Sequence, residues 1–457
     1  MSKLARFFLY CTPLSVLIVL NSIYFPFIGG KYYFFRLVIT LAAMCLFIGW
    51  AFFDDPRSIK DFFMRTFRTP VGKLVTIFAG VFVLACIFAY DPHIAFWSNF
   101  ERAEGGFQMI HYYAFFVLLV GFFASKKQWR WLFGVSLVAA VGMTLYGILS
   151  ALSPGQFLGT YGSLTSLSFW QRLISPNGRF QGSLGNSDYV APYLMFAIFY
   201  AAWLWAEAKH VWKRTILYAA LIVWFLIFLV LSGTRGGLVG LAAAVLALLI
   251  YLAFSRRELR LKAGIVVIVL AVLGGGLFFF RTSSTVKALP GSRLLQISFT
   301  DRTFQVRVWN WETAWKGFKE RPVLGWGPEN YPVVFDKHFD TRHFIPNEGS
   351  ETWYDRAHSV IFDYLVETGI LGLLAYLGMF VAFFMQFGRW VKRRGHETAK
   401  PLMSSFQEAL LLAMPVGYLV QGLALFDVLP TIINLMIFLA FSVYLTTYAT
   451  EDRPARS

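Results

Sequence analysis

His358 is the side chain best suited to chemistry at neutral pH. It stands in Arg356-Ala357-His358-Ser359-Val360-Ile361-Phe362-Asp363-Tyr364-Leu365-Val366-Glu367, at the start of a long apolar run. Asp363 and Glu367 follow five and nine residues later, so all three can share roughly one face of a helix. An imidazole can serve as base, acid or phosphate donor near pH 7. The plain alternative is a helix-capping histidine with no chemical role. The two carboxylates lie deeper along the helix, where they can orient His358 or pair with a neighbouring span.

Three other segments place cations where an anion could meet them. Ser232-Gly233-Thr234-Arg235-Gly236-Gly237 is a tight turn between two apolar runs, which holds Arg235 at a membrane boundary. An arginine there either anchors to phospholipid headgroups or clamps a phosphate, since its planar fork matches phosphate oxygens. Gly178-Arg179-Phe180-Gln181-Gly182-Ser183-Leu184-Gly185-Asn186-Ser187-Asp188 enters another apolar run, and Asn186 or Ser187 can cap the helix beyond it. Asp301-Arg302 to Lys316 carries Phe304, Val308, Trp311 and Trp315 at helical spacing. That pattern predicts an amphipathic helix on the bilayer surface, carrying Arg302 and Arg307, with Arg307 and Glu312 as a weak near-pair. The following Pro322-Val323-Leu324-Gly325-Trp326-Gly327-Pro328-Glu329-Asn330-Tyr331 predicts a rigid turn.

These residues need a membrane scaffold. The chain has 457 residues, 57% hydrophobic, 19% aromatic and only 14% charged. Its mean hydropathy of +0.58 excludes a set of soluble domains, which carry about 25% charged residues. About twelve apolar stretches are long enough to cross roughly 30 Å of hydrocarbon. They run 7–27, 34–53, 74–90, 107–124, 131–152, 188–206, 215–232, 237–254, 263–280, 359–385, 406–425 and 430–449. Every second connection is short and basic, which predicts cytoplasmic loops and both termini in the cytoplasm. The longer pieces, 91–106, 153–187 and 281–357, then face outward. The last holds eleven Lys or Arg residues, an excess explained by an anionic ligand at the outer surface. The formal charge of +16 thus calls for no nucleic acid. Cys11, Cys45 and Cys86 have neither metal nor redox spacing. No phosphate-cradling loop with its lysine and no zinc-ligand cluster is present, so neither cofactor nor metal is expected.

Arg-Ala-His-Ser with Glu-Thr-Gly-Ile-Leu-Gly-Leu downstream resembles the O-antigen ligase and O-antigen polymerase superfamily. So do the Pro-Val-Leu-Gly-Trp-Gly-Pro-Glu-Asn turn, the Ser-Gly-Thr-Arg-Gly-Gly turn and the Gly-Ser-Leu-Gly-Asn-Ser-Asp segment. The resemblance covers roughly residues 100 to 440. It implies an all-α polytopic membrane fold, glycosyltransferase C-like, with a large helical outer loop. The expected organisation is N-terminal membrane helices over 1–106, a ligase-like core over 107–449 including outer loop 281–357, and a cytoplasmic tail over 450–457. The implied activity is metal-independent glycosyl transfer from undecaprenyl diphosphate to an acceptor hydroxyl on the outer, periplasmic face of the inner membrane. The acceptor would be a glycolipid, a glycan or a protein. His358 carries over as the catalytic residue, and Arg235, with Arg302 or Arg307, as diphosphate ligands; Arg179 and Arg356 are local candidates. Where the ligase pattern often has Asn after the His, this chain has Ser359.

A ligase-like activity ranks first, a polymerase second, and a protein O-oligosaccharyltransferase shares the same residue patterns. From another class, a lipid or solute transporter would place polar residues along a path at mid-membrane depth. Few are visible, because the middle of most spans is Leu, Val, Phe and Ala.

Overall fold

Apolar segments out of reach of water satisfy their backbone groups internally, and helices do so within one segment. The computed structural model describes residues 1–53, 56–99, 102–153, 168–174, 179–208, 211–287, 289, 292–295, 301–344, 353–394 and 402–449. The tail expected over 450–457, most of 154–178 and parts of the outer loop lie outside these described residues. The first half runs α1 (Ser2–Cys11), α2 (Gly29–Phe53), α3 (Pro56–Phe67), α4 (Pro70–Ile87), α5 (Pro92–Trp97), α6 (Gly106–Phe122), α7 (Lys126–Leu152), α8 (Phe169–Leu173) and α9 (Ser187–Glu207). The second runs α10 (Trp212–Leu231), α11 (Arg235–Ser255), α12 (Arg260–Phe279), α13 (Ser284–Lys287), α14 (Arg302–Glu320), α15 (Tyr331–Lys337), α16 (Val360–Arg394), α17 (Ser405–Gly422) and α18 (Leu429–Val443).

No strand occurs among the described residues. Nine helices there are long and apolar enough to cross a membrane: α2, α4, α7, α9, α10, α11, α12, α16 and α18. Two further predicted stretches form α6, of 17 residues, and α17, of 18. The protein is an all-α, multi-pass membrane protein. The predicted first span, 7–27, is not one helix. It ends α1 at Cys11, tightens into a 3₁₀ turn over Thr12–Leu17, and then turns into α2. Pro13 lacks the N–H that a continuing α-helix needs. Lys31 secures the break by donating to the carbonyls of Ile18 at 2.6 Å and Ser183 at 2.8 Å. A continuous apolar core joins these N-terminal elements to the rest, with Leu9, Phe35, Tyr112, Phe133, Tyr200 and Phe441 among its members.

Two features position the site. The first is a break inside α16 at Gly369, whose φ is 66°. Only a glycine sits there without strain, and an added Cβ would strike the backbone of Val323 and Leu324. The predicted turn over 322–331 plugs into this break. Trp326 and Gly327 donate backbone N–H bonds to the carbonyls of Val366 and Glu367 at 2.9 and 2.8 Å, and Ile370 donates to Pro322 at 2.9 Å. The second is α14, which packs on α15 and α16. Its buried face is Asn310, Thr313, Ala314 and Gly317, small enough for close approach, while Trp315 is 48% exposed. Trp311 stacks on Phe362 with ring centroids 5.5 Å apart. A small second core of Ala314, Trp326, Tyr331, Val334, Phe335, Tyr354, Ala357 and Val366 fastens α14, α15 and the 353–357 segment together.

Candidate active site

His358 lies just before α16, in a turn with a left-handed backbone, φ 59°. It therefore does not start the helix as expected. Backbone strain of this kind in a non-glycine residue persists only where surrounding contacts hold it. They do. The Asp363 carboxylate accepts from the Ala357 N–H at 2.7 Å, and Val360 N–H donates to the Leu425 carbonyl at 2.9 Å. The imidazole is held between Tyr354 and Phe426, with ring centroids 5.5 and 5.2 Å away. Its Nδ1 lies 3.1 Å from the Arg356 carbonyl oxygen. A carbonyl can only accept, so Nδ1 carries the proton and the neutral ring leaves an open lone pair on Nε2. Burial holds this imidazole below the usual histidine range, and nearby Arg307 pushes the same way.

The charge nearest the ring is that of Arg307, and Arg179 and Arg235 lie close to Arg307 in turn. Arg179 is bonded to Asp188, to the Ser232 carbonyl at 3.0 Å and to Thr234 Oγ1 at 2.9 Å. These bonds tie the entry to α9 to the tight turn before α11. Gly233 has φ 63° in that turn, and a side chain there would press on Arg179 Cγ, 3.2 Å from the Cβ position. Arg235, the first residue of α11, is bonded to Asp301, which caps α14 by accepting from Phe304 N–H at 2.8 Å. Burial raises the Asp301 carboxyl, but the bonds from Arg235 and Phe304 outweigh it and leave it below the ordinary range. Arg307, one turn into α14, makes no hydrogen bond or ion pair among the described residues. Its charge is felt by Asp188, Asp301 and His358 and opposed by Arg179 and Arg235. Burial lowers its proton affinity, yet a guanidinium remains charged at neutral pH. Three arginines face two carboxylates, so the local balance is one positive charge without a partner.

The other expected residues lie elsewhere. Arg302 points to the His343 carbonyl, 3.4 Å away. Glu312 pairs with Arg342 at 2.5 Å, so it is not the partner of Arg307. Arg356 is buried and bonded to Glu367 at 2.7 Å, Glu104 at 3.3 Å and Glu329. All its charge is absorbed there, which removes it from the anion-binding set. Asp363 and Glu367 do not reach the His358 ring. They act on its backbone, Asp363 through Ala357 and Glu367 through Arg356. A cavity of about 40 Å³ next to this cluster is lined by Glu104, Arg356, Asp363, Glu367 and Asp427. Burial pushes Glu104 up to about 7 and Asp427 up to about 6. The charged cluster under the His358 turn was not visible as a polar path along any one span.

Several contributors escaped sequence reasoning. Arg102 donates to Asp355 through Nε at 2.5 Å and Nη2 at 3.0 Å, and to the Tyr189 hydroxyl at 2.7 Å. It also lies over the Phe426 ring, 5.2 Å from the centroid. The 91–106 connection thereby braces the turn that carries His358. The one signal was Glu101-Arg102-Ala103-Glu104, a dense run of charge in a chain poor in charge. Asp188 and Asp301 stood in the quoted segments, but only folding shows which arginine each one holds.

Residues 220–377 match the family described as O-Antigen ligase (Wzy_C). That segment, about a third of the chain, is similar to an O-antigen ligase domain. No curated protein matches the chain. The domain runs from the middle of α10 to the middle of α16, so it contains Arg235, Asp301, Arg307 and His358. Arg179, Asp188 and Arg102 reach the site from outside the matched segment. The match bears out the superfamily resemblance, and it supports a membrane enzyme of the ligase or glycosyltransferase type.

Proposed function

We propose that this protein transfers a glycan from undecaprenyl diphosphate to an acceptor hydroxyl, without a metal ion, on the outer face of the inner membrane. The observation that carries this reading is His358, its Nδ1 turned to the Arg356 carbonyl, standing within reach of the unpaired Arg307 charge, with Arg179 and Arg235 close to Arg307. In the reaction, Nε2 takes the acceptor hydroxyl proton while the oxygen bonds to the anomeric carbon. The bond from that carbon to the diphosphate oxygen breaks, and its electron pair leaves with the diphosphate. The arginines meet the charge that develops there. Preorganised donors of this kind are worth about 3 kcal/mol each in a site shielded from water. A positioned base adds about 10²–10⁴-fold. The lipid diphosphate is already activated, so no further energy source is required. The basic loops at the opposite helix ends support a cytoplasmic placement for that face.

The test is transfer in proteoliposomes. Undecaprenyl-diphosphate-linked glycan is supplied with lipid A–core, with an acceptor peptide, or alone. Products are read by mass spectrometry for wild type and His358→Gln. Glycan on lipid A–core in wild type alone supports the ligase reading. Growth of chains on the carrier points to a polymerase, and glycosylated peptide to protein glycosylation. No product in any arm, with labelled lipid crossing the bilayer, overturns the proposal in favour of transport.

A further inference from the structure

The helix ends remote from His358 enclose a cleft that glycan transfer does not use. Its volume is about 580 Å³, and it is lined by Lys127, Arg130, Trp131, Glu207, Arg214 and Tyr218, with Leu204 and Ala208 as its floor. It lies between the first turns of α7 and α10, over the last turn of α9.

The charges in this cleft do not cancel. Its one carboxylate, Glu207, is bonded to Arg130 and accepts from Trp203 Nε1 at 3.2 Å. The neighbouring Lys126 turns away to the Leu402 carbonyl at 3.0 Å. Lys127 and Arg214 make no hydrogen bond or ion pair among the described residues. The N-cap of α10, Val211, offers no side-chain bond to the first amides of that helix. Those amides add positive potential on the same side.

The surroundings are those of a lipid. Trp131 is 62% exposed at the rim. Val138 and Leu145 follow it at intervals of seven along α7 and are also exposed, forming an apolar track that descends from the cations. We propose that this cleft binds the phosphate headgroup of an anionic phospholipid, seated between Lys127 and Arg214, with its acyl chains along the α7 track. A free phosphate would satisfy the cations and leave the track bare. Basic pockets between spans at one membrane face recognise such headgroups through the same chemistry.

Native mass spectrometry of the full-length protein in detergent tests this. It is titrated with phosphatidylglycerol, phosphatidylcholine and inorganic phosphate. Wild type should retain phosphatidylglycerol in preference to phosphatidylcholine, and Lys127→Ala with Arg214→Ala should weaken that retention about tenfold or more. Lys127→Arg with Arg214→Lys should keep it, which separates lost charge from lost folding. Glu207→Gln should tighten it. Equal retention by wild type and the double alanine variant would overturn the site. Displacement of the lipid by millimolar phosphate would overturn a lipid in favour of a free anion.

Discussion

His358 hangs from Arg356: the Nδ1–H of one donates to the carbonyl oxygen of the other at 3.1 Å. Arg356 is in turn fixed by Glu367, Glu104 and Glu329. The residue proposed to move a proton is thus oriented by a buried ionic cluster on its own backbone, with the Arg307 charge close to its ring.

A base works in its unprotonated form, and burial together with Arg307 holds His358 below the usual histidine value of about 6.5. Transfer should therefore be at full rate at neutral pH. It should fall about tenfold per unit only below that lowered pKa. Arg307→Lys should keep the limb in place, whereas Arg307→Ala removes a lowering influence and should move it to higher pH. Profiles of kcat/KM against pH decide this, and an acid limb that stays where wild type has it in Arg307→Ala would remove His358 as the base.

Arg307 faces the site without a bonded partner, and Arg235 is held ready by Asp301. Loss of a charge that acts mainly in the transition state lowers kcat and kcat/KM together. Arg307→Ala and Arg235→Ala should each cost about 10²–10³-fold in transfer, with membrane insertion unchanged. Asp301→Asn keeps a cap for α14 but loosens Arg235, and should cost less than Arg235→Ala. A well-expressed Arg235→Ala protein with wild-type transfer would end the diphosphate-clamp assignment.

Arg356 has a different signature. Removing it strands three carboxylates in the interior, which should destabilise the fold by about 3–5 kcal/mol. Arg356→Ala is expected to unfold at markedly lower temperature in detergent, and adding Glu329→Gln should recover part of the loss. An Arg356→Ala protein of native melting temperature that failed only in donor binding would return this residue to the anion site.

Stability should also depend on pH in a defined direction. The buried Glu104 carboxyl has a pKa of about 7, above the value of about 4.3 in an unfolded chain. The folded state binds the extra proton between these values, so stability is fullest below about 4.3 and is lost as pH rises through 7. Asp427, raised to about 6, acts with the same sign. Melting temperature should decline from pH 5 to 8 in wild type and decline less in Glu104→Gln. An identical slope in both proteins would place the titration elsewhere.

Composition and the lengths of the apolar runs determined a multi-span helical protein, because hydrocarbon admits few other backbones. The order of motifs pointed to the O-antigen ligase superfamily, and the types of His358, Arg179, Arg235 and Arg307 pointed to the residues proposed for the chemistry. Tertiary structure decided which partner each of them has. Arg307 and Arg356 both lie within the segment 281–357, yet one makes no hydrogen bond or ion pair among the described residues and the other is bonded to Glu104, Glu329 and Glu367. Spacing along one helix put Asp363 and Glu367 on the His358 face, but the left-handed turn at His358 takes its ring off that face, and the carboxylates meet the Ala357 N–H and Arg356 instead. Local periodicity carries no record of such partners, because an ion pair between residues dozens to hundreds of positions apart exists only once the chain has closed around it. In α14 the stripe residue Trp311 packs on Phe362, but the fully buried face is Asn310, Thr313, Ala314 and Gly317, because which face a helix buries is settled by the surface it meets.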